Sequence, residues 1–308
     1  MKKIFGCIFL LVFSITFAQD SLFISQDITI NKYVDGTLLL PKNEKPKHLA
    51  IIIPGSGPTD RNGNQNFMKS NSLRKLAEAL TKDGIATFRY DKRVVKQIRE
   101  NNIEKDTRFD DFITDAISVL HYFKNSNKFS DITIIGHSQG SLVGMVAAQQ
   151  GADKFVSIAG AGQTIDEVII FQIGKTAPMY LDDTKRIFEL LRQGKTTTDF
   201  PPQLATLFNL ELQPFFMNWM QYKPTEEIKK LNIPILILNG TKDLQVTEDE
   251  AAMLSEANPE ASLKIIQNMN HIMFVIEGDD LENAKSYNES NRAISEDSVK
   301  FIAEFIKQ

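Results

Sequence analysis

The fold of this chain is decided by one stretch, Ile134-Ile135-Gly136-His137-Ser138-Gln139-Gly140-Ser141. It has the pattern G-x-S-x-G, in which glycines flank a serine because a side chain at either position would collide with a sharp turn. Residues 131–135 form a short, β-branched, apolar run that is typical of a buried strand. Residues 138–149 favour a helix, being rich in Ala, Leu, Val and Met. This order predicts that the turn presents Ser138 as a nucleophile, and it disfavours the alternative of an ordinary glycine-rich turn.

The N-terminus has the pattern of a secretory signal peptide. Two lysines precede an apolar run over 4–15, and Thr16-Phe17-Ala18 supplies a small-x-small cleavage site. The apolar run is too short for a comfortable transmembrane helix. We therefore expect a signal peptide over 1–18 and a mature domain over 19–308 that is periplasmic or secreted, without stable membrane insertion. An uncleaved membrane anchor is the alternative.

Composition excludes several classes of function. The formal net charge is −4, and it becomes −6 when the two lysines of the signal peptide are removed, which argues against nucleic acid as a partner. Cys7 is the only cysteine and lies in the signal peptide. The mature chain would therefore have no disulfide, no thiolate nucleophile and no cysteine-based metal site. We expect neither a metal nor a cofactor.

Strand and helix patterns alternate along most of the chain, which predicts parallel strands joined by crossover helices. The predicted strands cover 48–53, 85–90, 131–135, 155–158, 233–238 and 263–266, and helical patterns lie at 73–80, 109–120, 138–149 and 299–306. A hairpin turn is predicted at Val34-Asp35-Gly36-Thr37. Thr247 and Glu250 predict a capping box at one helix start, and Ser295 is expected to cap the last helix.

The alternation stops between Gly160 and Lys230. This stretch has helical periodicity and many large apolar residues, and we interpret residues 164–228 as a helical cap inserted over the sheet. Ordinary core helices are the alternative. Phe216 and Trp219 are our candidates for a substrate pocket beneath the cap, although core packing would explain either residue taken singly.

A serine hydroxyl needs a base to take its proton at neutral pH, and the chain has four histidines. Three of them lie before Ser138 in the sequence: His48, His121 and His137. His271 follows the last predicted strand, and it alone fits the order serine, acid, histidine that an α/β-hydrolase requires. We therefore expect His271 to be the base, with a solvent-exposed loop histidine as the alternative.

The acid is expected in the turn after the strand at 233–238. Asp243 lies in that turn, where it would hold the imidazole in the correct tautomer and stabilise the imidazolium. Asp249 is the weaker candidate, because it falls in the first turn of the following helix. A carboxylate there interacts favourably with the helix dipole and needs no catalytic role.

The tetrahedral intermediate of such a reaction needs N–H donors for its oxyanion. One is expected to be the backbone N–H of Gln139, directly after the nucleophile. The other is expected to be the backbone N–H of Ser56, in the glycine-rich loop 54–64 that follows the strand at 48–53. Glycine-rich loops also bind phosphate, but the P-loop pattern is missing here. A plain flexible loop is the other alternative.

The loop Pro54-Gly55-Ser56-Gly57-Pro58-Thr59-Asp60-Arg61-Asn62-Gly63-Asn64 resembles the G-S-G-P-x-D-R-D-G-N segment of a bacterial group of α/β-hydrolase esterases. That group is related to the serine aminopeptidase-like and Thermotoga-type esterases. Further matches are Tyr90-Asp91-Lys92-Arg93, Gly136 to Gly140, Gly240-Thr241-Lys242-Asp243-Leu244-Gln245-Val246, Met269-Asn270-His271 and Ser286-Tyr287-Asn288. The resemblance spans nearly the whole mature chain. It implies an α/β-hydrolase fold, with a mostly parallel sheet and an inserted helical cap, and a triad of Ser138, Asp243 and His271.

Two departures from the family pattern concern the loops near the nucleophile. Asn62 stands where the family usually has an acid, and Val94-Val95 follows Asp91-Lys92-Arg93 where the family often has glycines. Asp60, Arg61 and Arg93 are expected to form either a polar network that shapes the oxyanion loop or a simple surface ion pair. The contacts of these three residues in the structure distinguish between the two alternatives.

We therefore expect a serine carboxylesterase that hydrolyses short- to medium-chain carboxylic esters through an acyl-enzyme, with a small-molecule ester as its partner. A serine peptidase or thioesterase on the same triad is the alternative, and a non-catalytic binding protein is a further one. A peptidase usually anchors a peptide terminus with placed charges. The cap offers acidic residues for that purpose, although surface solvation explains them equally: Asp166, Glu167, Asp182 and Asp183.

Overall fold

A computed structural model describes residues 22–308, so the predicted signal peptide lies outside the described residues. The strands are β1 (Phe23–Thr29), β2 (Asp35–Pro41), β3 (His48–Ile53), β4 (Ala86–Tyr90), β5 (Asp131–His137), β6 (Lys154–Ile158), β7 (Ile235–Gly240) and β8 (Ser262–Ile266). The α-helices are α1 (Ser72–Lys82), α2 (Arg93–Arg99), α3 (Phe109–Ser126), α4 (Gln139–Ala148), α5 (Ile165–Thr176), α6 (Leu181–Arg192), α7 (Ala205–Phe208), α8 (Gln213–Trp219), α9 (Pro224–Lys229), α10 (Glu248–Ala257), α11 (Asp280–Ser286) and α12 (Glu296–Lys307). Within this described part, no helix combines the length and the hydropathy that crossing a bilayer requires.

The strands form one eight-stranded sheet in the order β1-β2-β4-β3-β5-β6-β7-β8. The pairs β1–β2 and β2–β4 are antiparallel, and every other neighbouring pair is parallel. This topology confirms the predicted fold class. Because the parallel strands run the same way, the loops after β3, β5, β7 and β8 meet at one edge of the sheet.

Helices cover both faces of the sheet, which explains why its central strands are continuous apolar runs. Alternate residues of β3 and β5 point to opposite faces. Ile52 and Ile135 pack in the layer that contains α1 and α12, whereas Ile51 and Ile134 pack in the layer that contains α3 and α4. The helices α5 to α9, which we call the helical segment, all lie between β6 and β7 in the chain.

The hairpin turn predicted at 34–37 is wrong, because the chain reverses earlier in the sequence. The chain reverses at 30–34, where the N–H of Ile30 donates to the carbonyl of Val34 at 2.9 Å. Gly36 lies inside β2, where a side chain would collide with the ring of Phe88. The glycine therefore serves close packing against the neighbouring strand and not a turn.

The predicted capping box at Thr247 and Glu250 is also wrong, because neither side chain caps α10. The Glu250 carboxylate instead accepts hydrogen bonds from the backbone N–H groups of Gly162 at 2.7 Å and Gln163 at 3.0 Å. It also accepts one from the Gln163 side chain at 2.6 Å. Glu250 thus fixes the chain where it enters the helical segment.

The exit of the helical segment is fixed from the other end of the same helix. Asn258 follows α10 and is buried, and its Nδ2 donates to the carbonyl of Ile228 at 2.9 Å. A longer contact joins Nδ2 to the carbonyl of Leu231 at 3.4 Å. Helix α10 therefore holds both ends of the helical segment. At the end of the chain, Ser295 caps α12 as predicted, since its side chain accepts the N–H of Ser298.

Candidate active site

Ser138 occupies the sharp turn between β5 and α4. Its backbone has φ 54° and ψ −122°, a left-handed conformation that costs a non-glycine residue about 1–3 kcal/mol. A side chain at Gly136 would collide with the carbonyl of Gly140, so the turn needs a glycine there. The N–H of Ser138 donates to the carbonyl of Ile158 at 2.9 Å, which ties the turn to the end of β6. The structure thus holds this serine in a strained, well-anchored position.

Asp243 and His271 are brought together from the loops after β7 and β8. Nδ1 of His271 donates to Oδ2 of Asp243 at 2.7 Å, and their side chains are 5% and 0% exposed. The other oxygen, Oδ1, accepts the N–H groups of Gln245 at 2.8 Å and Val246 at 2.9 Å. The carboxylate is therefore fully hydrogen-bonded and points one oxygen at the imidazole. Asp249, the weaker candidate, is exposed on α10.

His137 supports His271 through the backbone. Nε2 of His137 donates to the carbonyl of His271 at 2.7 Å, and the two rings lie 5.0 Å apart. Burial lowers the pKa of His137 to about 4, so its imidazole is neutral at physiological pH. Nothing local in the sequence indicates this hydrogen bond, because its two partners lie 134 residues apart.

The other two histidines lie away from this site. His48, at the start of β3, has its Nδ1 2.7 Å from Oδ2 of Asp131 at the start of β5. His121 is exposed on α3. Ser138 follows the opposite end of β5 from Asp131, so the pair of His48 and Asp131 lies a strand length away from the serine. The structure therefore leaves His271 as the imidazole beside the nucleophile.

Ser138 lies at the junction of two cavities. The smaller one, about 110 Å³, is lined by Ser138, His271, Tyr287 and several small polar side chains of the loop 55–72. Serine and imidazole share this cavity, although the hydroxyl makes no hydrogen bond to the imidazole among the described residues. Such contacts often tighten only when substrate binds.

The larger cavity, about 310 Å³, lies between the sheet and the helical segment. Phe216 and Trp219 line it, together with Leu142 of α4 and Ile169 of α5. The same two aromatic rings are also core residues, since Trp219 stacks on Phe109 at 5.1 Å between ring centroids. Both sequence interpretations of these residues, pocket wall and core packing, therefore describe the same side chains.

The two cavities meet at Ser56 and Gln245, which line both. Nε2 of Gln245 donates to the hydroxyl of Tyr287 at 2.8 Å. The backbone carbonyl of Gln245 accepts a hydrogen bond from Nε2 of Gln172 on α5 at 3.0 Å. Gln245 and Tyr287 belong to segments matched in the family resemblance, but nothing local in the sequence indicated this partition between cavities.

The loop 54–64 passes directly over the serine. A Cβ placed on Gly55 would lie 3.2 Å from the Cβ of Ser138. The backbone N–H groups of Ser56 and Gln139 have no acceptor among the residues that the structure describes. Both predicted oxyanion donors therefore lie beside the nucleophile with their hydrogen atoms free.

The predicted network of Asp60, Arg61 and Arg93 is wrong in its partners. Arg61 binds Asp91 through two side-chain contacts, at 3.1 Å and 2.7 Å. Asp60 instead accepts the N–H groups of the loop itself, at Asn62 and Asn64. Arg93 pairs with Asp115 inside the protein. The ion pair between Arg61 and Asp91 therefore holds the loop 54–64 in place, whereas Asp60 closes the turn within that loop.

The acidic residues of the helical segment do not face the cavities. Asp166 is 2% exposed, so surface solvation does not explain it, and it pairs with Arg192 of α6. Glu167 forms a capping box with Thr164 at the start of α5. The part of the chain that the structure describes also holds no cluster of acidic, histidine or cysteine side chains that could bind a metal.

The order of the strands and the serine turn after a central strand of the sheet define an α/β-hydrolase fold. The family model described as "Serine aminopeptidase, S33" matches residues 67–188, a span that includes Ser138 and ends before Asp243 and His271.

Comparison with known proteins extends this similarity over most of the chain. Esterase EstD of Thermotoga maritima is 28% identical over 267 residues, which are 83% of this chain and 61% of that protein. The chain therefore spans about three fifths of the length of this curated relative. Among solved structures, Est1E from Butyrivibrio proteoclasticus has a TM-score of 0.58 at 18% identity, covering 92% of this chain and 99% of that one. A proline iminopeptidase from Mycobacterium smegmatis has a TM-score of 0.56 at 13% identity, covering 92% and 98%.

Proposed function

We propose that this protein is a serine carboxylesterase that hydrolyses short- to medium-chain carboxylic esters through an acyl-enzyme. The observation that carries the proposal is the position of Ser138, at the junction of two cavities whose linings, within residues 22–308, hold two histidines but no aspartate, glutamate, lysine or arginine. An ester has one uncharged arm on each side of its carbonyl group, so a nucleophile between two such cavities suits it. The similarity to an esterase over 83% of the chain supports the same reaction.

The proposed reaction follows from the positions of the polar groups. Oγ of Ser138 attacks the ester carbonyl carbon while Nε2 of His271 takes the hydroxyl proton. Asp243 stabilises the imidazolium through its 2.7 Å hydrogen bond to Nδ1. The N–H groups of Ser56 and Gln139 stabilise the oxyanion, which then collapses and expels the alcohol with the proton from His271. Water hydrolyses the acyl-enzyme by the same steps.

The two cavities suit different arms of the ester. The leaving oxygen must lie near His271, which lines the smaller and more polar cavity, so the alcohol arm belongs there. The acyl arm then enters the larger apolar cavity under Phe216 and Trp219. At about 310 Å³ this cavity lies at the small end of the usual range for ligand pockets, which favours acyl groups of short to medium length. In this proposal the helical segment is a cap that reads the acyl group.

A serine aminopeptidase is the second candidate, because the matching family model carries that description and one similar structure is an iminopeptidase. An aminopeptidase must bind a free ammonium group, for which a carboxylate is the usual partner. The cavity linings consist of amides, hydroxyls, apolar side chains and two histidines. Asp166 and Glu167 are engaged within the helical segment itself. The neutral linings therefore favour the ester.

The test compares three kinds of acyl compound on the purified protein. We expect hydrolysis of p-nitrophenyl acetate and butyrate, and much slower turnover of aminoacyl p-nitroanilides and of acyl thioesters. Ser138→Ala should lower kcat by about 10⁴-fold or more, because the attacking oxygen is gone. Ser141→Ala, which removes a buried hydroxyl that is hydrogen-bonded to Ser157, is the matched control and should remain active.

A fluorophosphonate probe gives an independent readout. It should label the wild-type protein and Ser141→Ala at Ser138, and it should leave Ser138→Ala unlabelled. Labelling that persists in Ser138→Ala would contradict the assignment of the nucleophile. Faster turnover of the aminoacyl p-nitroanilides than of the esters would instead favour the aminopeptidase.

We also propose that the protein is exported and that residues 1–18 are removed on export. The support is the pattern of two lysines, an apolar run and Thr16-Phe17-Ala18. Mass spectrometry of the protein recovered from the producing cells should give an N-terminus at Gln19. A mature protein that retains residues 1–18 would contradict this proposal.

A further inference from the structure

Lys92 is a buried amine directly behind the oxyanion loop. It lies just after β4 and is 6% exposed. Its Nζ donates to the carbonyl of Gly55 at 3.1 Å and to Oε1 of Gln139 at 2.5 Å, and it lies 4.1 Å from the centroid of the Phe112 ring. Within residues 22–308 it has no carboxylate partner. Burying an amine among neutral groups is unfavourable for folding, so this position needs another explanation.

The first acceptor connects Lys92 to the Ser56 donor. The carbonyl of Gly55 and the N–H of Ser56 belong to the same peptide group. A trans peptide points its C=O and N–H in opposite directions, and the described chain has no cis peptide. An ammonium behind the carbonyl therefore turns the Ser56 N–H to the other side, where this loop passes over Ser138. The same charge polarises the peptide group and makes its N–H a stronger donor.

The second acceptor connects Lys92 to the other donor. Gln139 is the first residue of α4, and its backbone N–H is the second oxyanion donor. Its side chain is buried and turned back to Nζ of Lys92. One amine therefore contacts the peptide group that supplies the first N–H donor and the side chain of the residue that supplies the second, and it lines neither of the two cavities beside Ser138.

We propose that Lys92 is a positioning residue of the oxyanion site, whose ammonium aligns and polarises the N–H donors of Ser56 and Gln139. The inference rests on the proposed esterase function and adds to it a charge that does not touch the substrate. The negative charge on the substrate oxygen develops only in the transition state. Removing Lys92 should therefore lower kcat and leave KM nearly unchanged.

The surroundings of Lys92 make its charge sensitive to pH. The charged or titratable groups packed around it are Tyr90, Asp91, Arg93 and Asp115. The carboxylates are already paired, Asp115 with Arg93 and Asp91 with Arg61. Burial lowers the pKa of Lys92 to about 7. Since the neutral amine still donates but carries no charge, its contribution to kcat/KM should fall as pH rises through about 7 and then level off. Dividing the wild-type profile by that of a Lys92 variant isolates this contribution from the pH dependence that both proteins share.

The experiment measures kcat and KM for p-nitrophenyl butyrate from pH 6 to pH 9 in the full-length protein. Lys92→Met should lower kcat by about tenfold at pH 6, less than the loss of a direct oxyanion donor, and abolish the fall above pH 7. Lys92→Arg keeps the charge at every pH tested, so its kcat should exceed that of Lys92→Met without the alkaline fall.

Lys75→Met is the matched control. Lys75 also donates to two backbone carbonyls, those of Ser70 and Arg292, and lies over the ring of Phe274, but it does not contact the oxyanion loop. Its loss should leave the pH profile of kcat/KM as in the wild type. Lys75 is half-buried, and a change of profile in Lys75→Met equal to that in Lys92→Met would show a general effect of losing an amine inside the protein and would overturn the proposal.

A folded Lys92→Met that keeps the wild-type kcat to within twofold at pH 6 would also overturn it. If Lys92→Met does not fold, the wild type and Lys92→Arg decide. A ratio of wild-type to Lys92→Arg kcat/KM that falls as pH rises through about 7 supports the proposal, and a ratio that stays level from pH 6 to pH 9 overturns it. Fluorophosphonate labelling of Ser138 separates the esterase proposal from the proposed role of Lys92. If the wild type is labelled and hydrolyses esters, but replacing Lys92 does not change its activity, only the role of Lys92 is contradicted.

Discussion

Asn62→Asp is expected to stabilise the protein, because it restores a partner for a buried arginine. Arg89 of β4 is 6% exposed, and its Nε and Nη1 have no hydrogen-bond partner among the described residues. Its Nη2 donates to Oδ1 of Asn62 at 3.3 Å. Asn62 stands where the resembling esterases usually carry an acid, so Arg89 contacts a neutral amide here instead of a carboxylate.

The size of the effect follows from the position of Arg89. Burial lowers the pKa of Arg89 to about 10, which corresponds to a penalty of roughly 3 kcal/mol on its charged form. A carboxylate at residue 62 would offset part of this penalty, and its own partial desolvation would consume some of the gain. We therefore expect a net gain of about 1–2 kcal/mol. For a domain of this size that raises the Tm by roughly 3 °C.

Thermal unfolding followed by circular dichroism measures this gain. Asn64→Asp is the matched control, since Asn64 faces the Asp60 carboxylate at 3.5 Å and a second carboxylate there should lower the Tm. The gain from Asn62→Asp should disappear in an Arg89→Met background. A Tm that falls on Asn62→Asp, or that rises equally without Arg89, would refute the reasoning.

Three further predictions concern the acid, the supporting histidine and the larger cavity. Asp243→Asn should reduce kcat by about 10⁴-fold, because the imidazole would no longer be held in the correct tautomer. Asp249 is exposed, so Asp249→Asn should keep kcat within about twofold of the wild-type value. The reverse result would place the acid on α10. The pKa of His137 is lowered to about 4 in the folded protein, below its value of 6.5 in the unfolded chain. As the pH drops from 6.5 to 4, the unfolded state therefore binds a proton that the folded state does not. The free energy of unfolding falls by about 3 kcal/mol over this range. His137→Gln should remove that part of the acid sensitivity in urea unfolding, and an unchanged pH slope would contradict the assignment. Phe216→Ala and Trp219→Ala should change the ratio of kcat/KM among p-nitrophenyl acetate, butyrate and octanoate, because one methylene in an apolar pocket contributes about 1 kcal/mol; unchanged ratios in folded variants would show that these rings do not read the acyl group.

The sheet could be predicted because each central strand has a sequence pattern that is recognisable over a few consecutive residues. Each central strand is buried on both faces, so it is a short, uninterrupted apolar run such as 48–53, and crossover helices separate the runs. The order of Ser138, Asp243 and His271 along the chain follows from the same topology, since each stands in the loop after a parallel strand. The structure brings the last two to 2.7 Å, and their catalytic roles remain predictions.

Two of the errors share one physical cause, because in both of them a distant contact outweighs a local sequence pattern. Thr247 and Glu250 have the spacing of a capping box, yet Glu250 binds N–H groups 87 and 88 residues away. Gly36 looked like a turn residue, but it is small because Phe88 of another strand lies against it. The position of Lys92 behind Gly55 and Gln139 likewise depends on three separate strands meeting at one edge of the sheet. A single sequence carries no direct signal for such contacts.

The double anchorage of the helical segment on α10 has a consequence for how such proteins diversify. Glu250 and Asn258 hold the two ends, and eight residues of helix place these anchors about 12 Å apart. That gap is short enough for about five residues of extended chain to cross. Chimaeras that replace residues 165–227 with a different insert would have to meet these two fixed points and also cover Phe109, on which Trp219 stacks. New acyl preferences could be grafted onto this scaffold while the sheet and the serine turn keep their geometry.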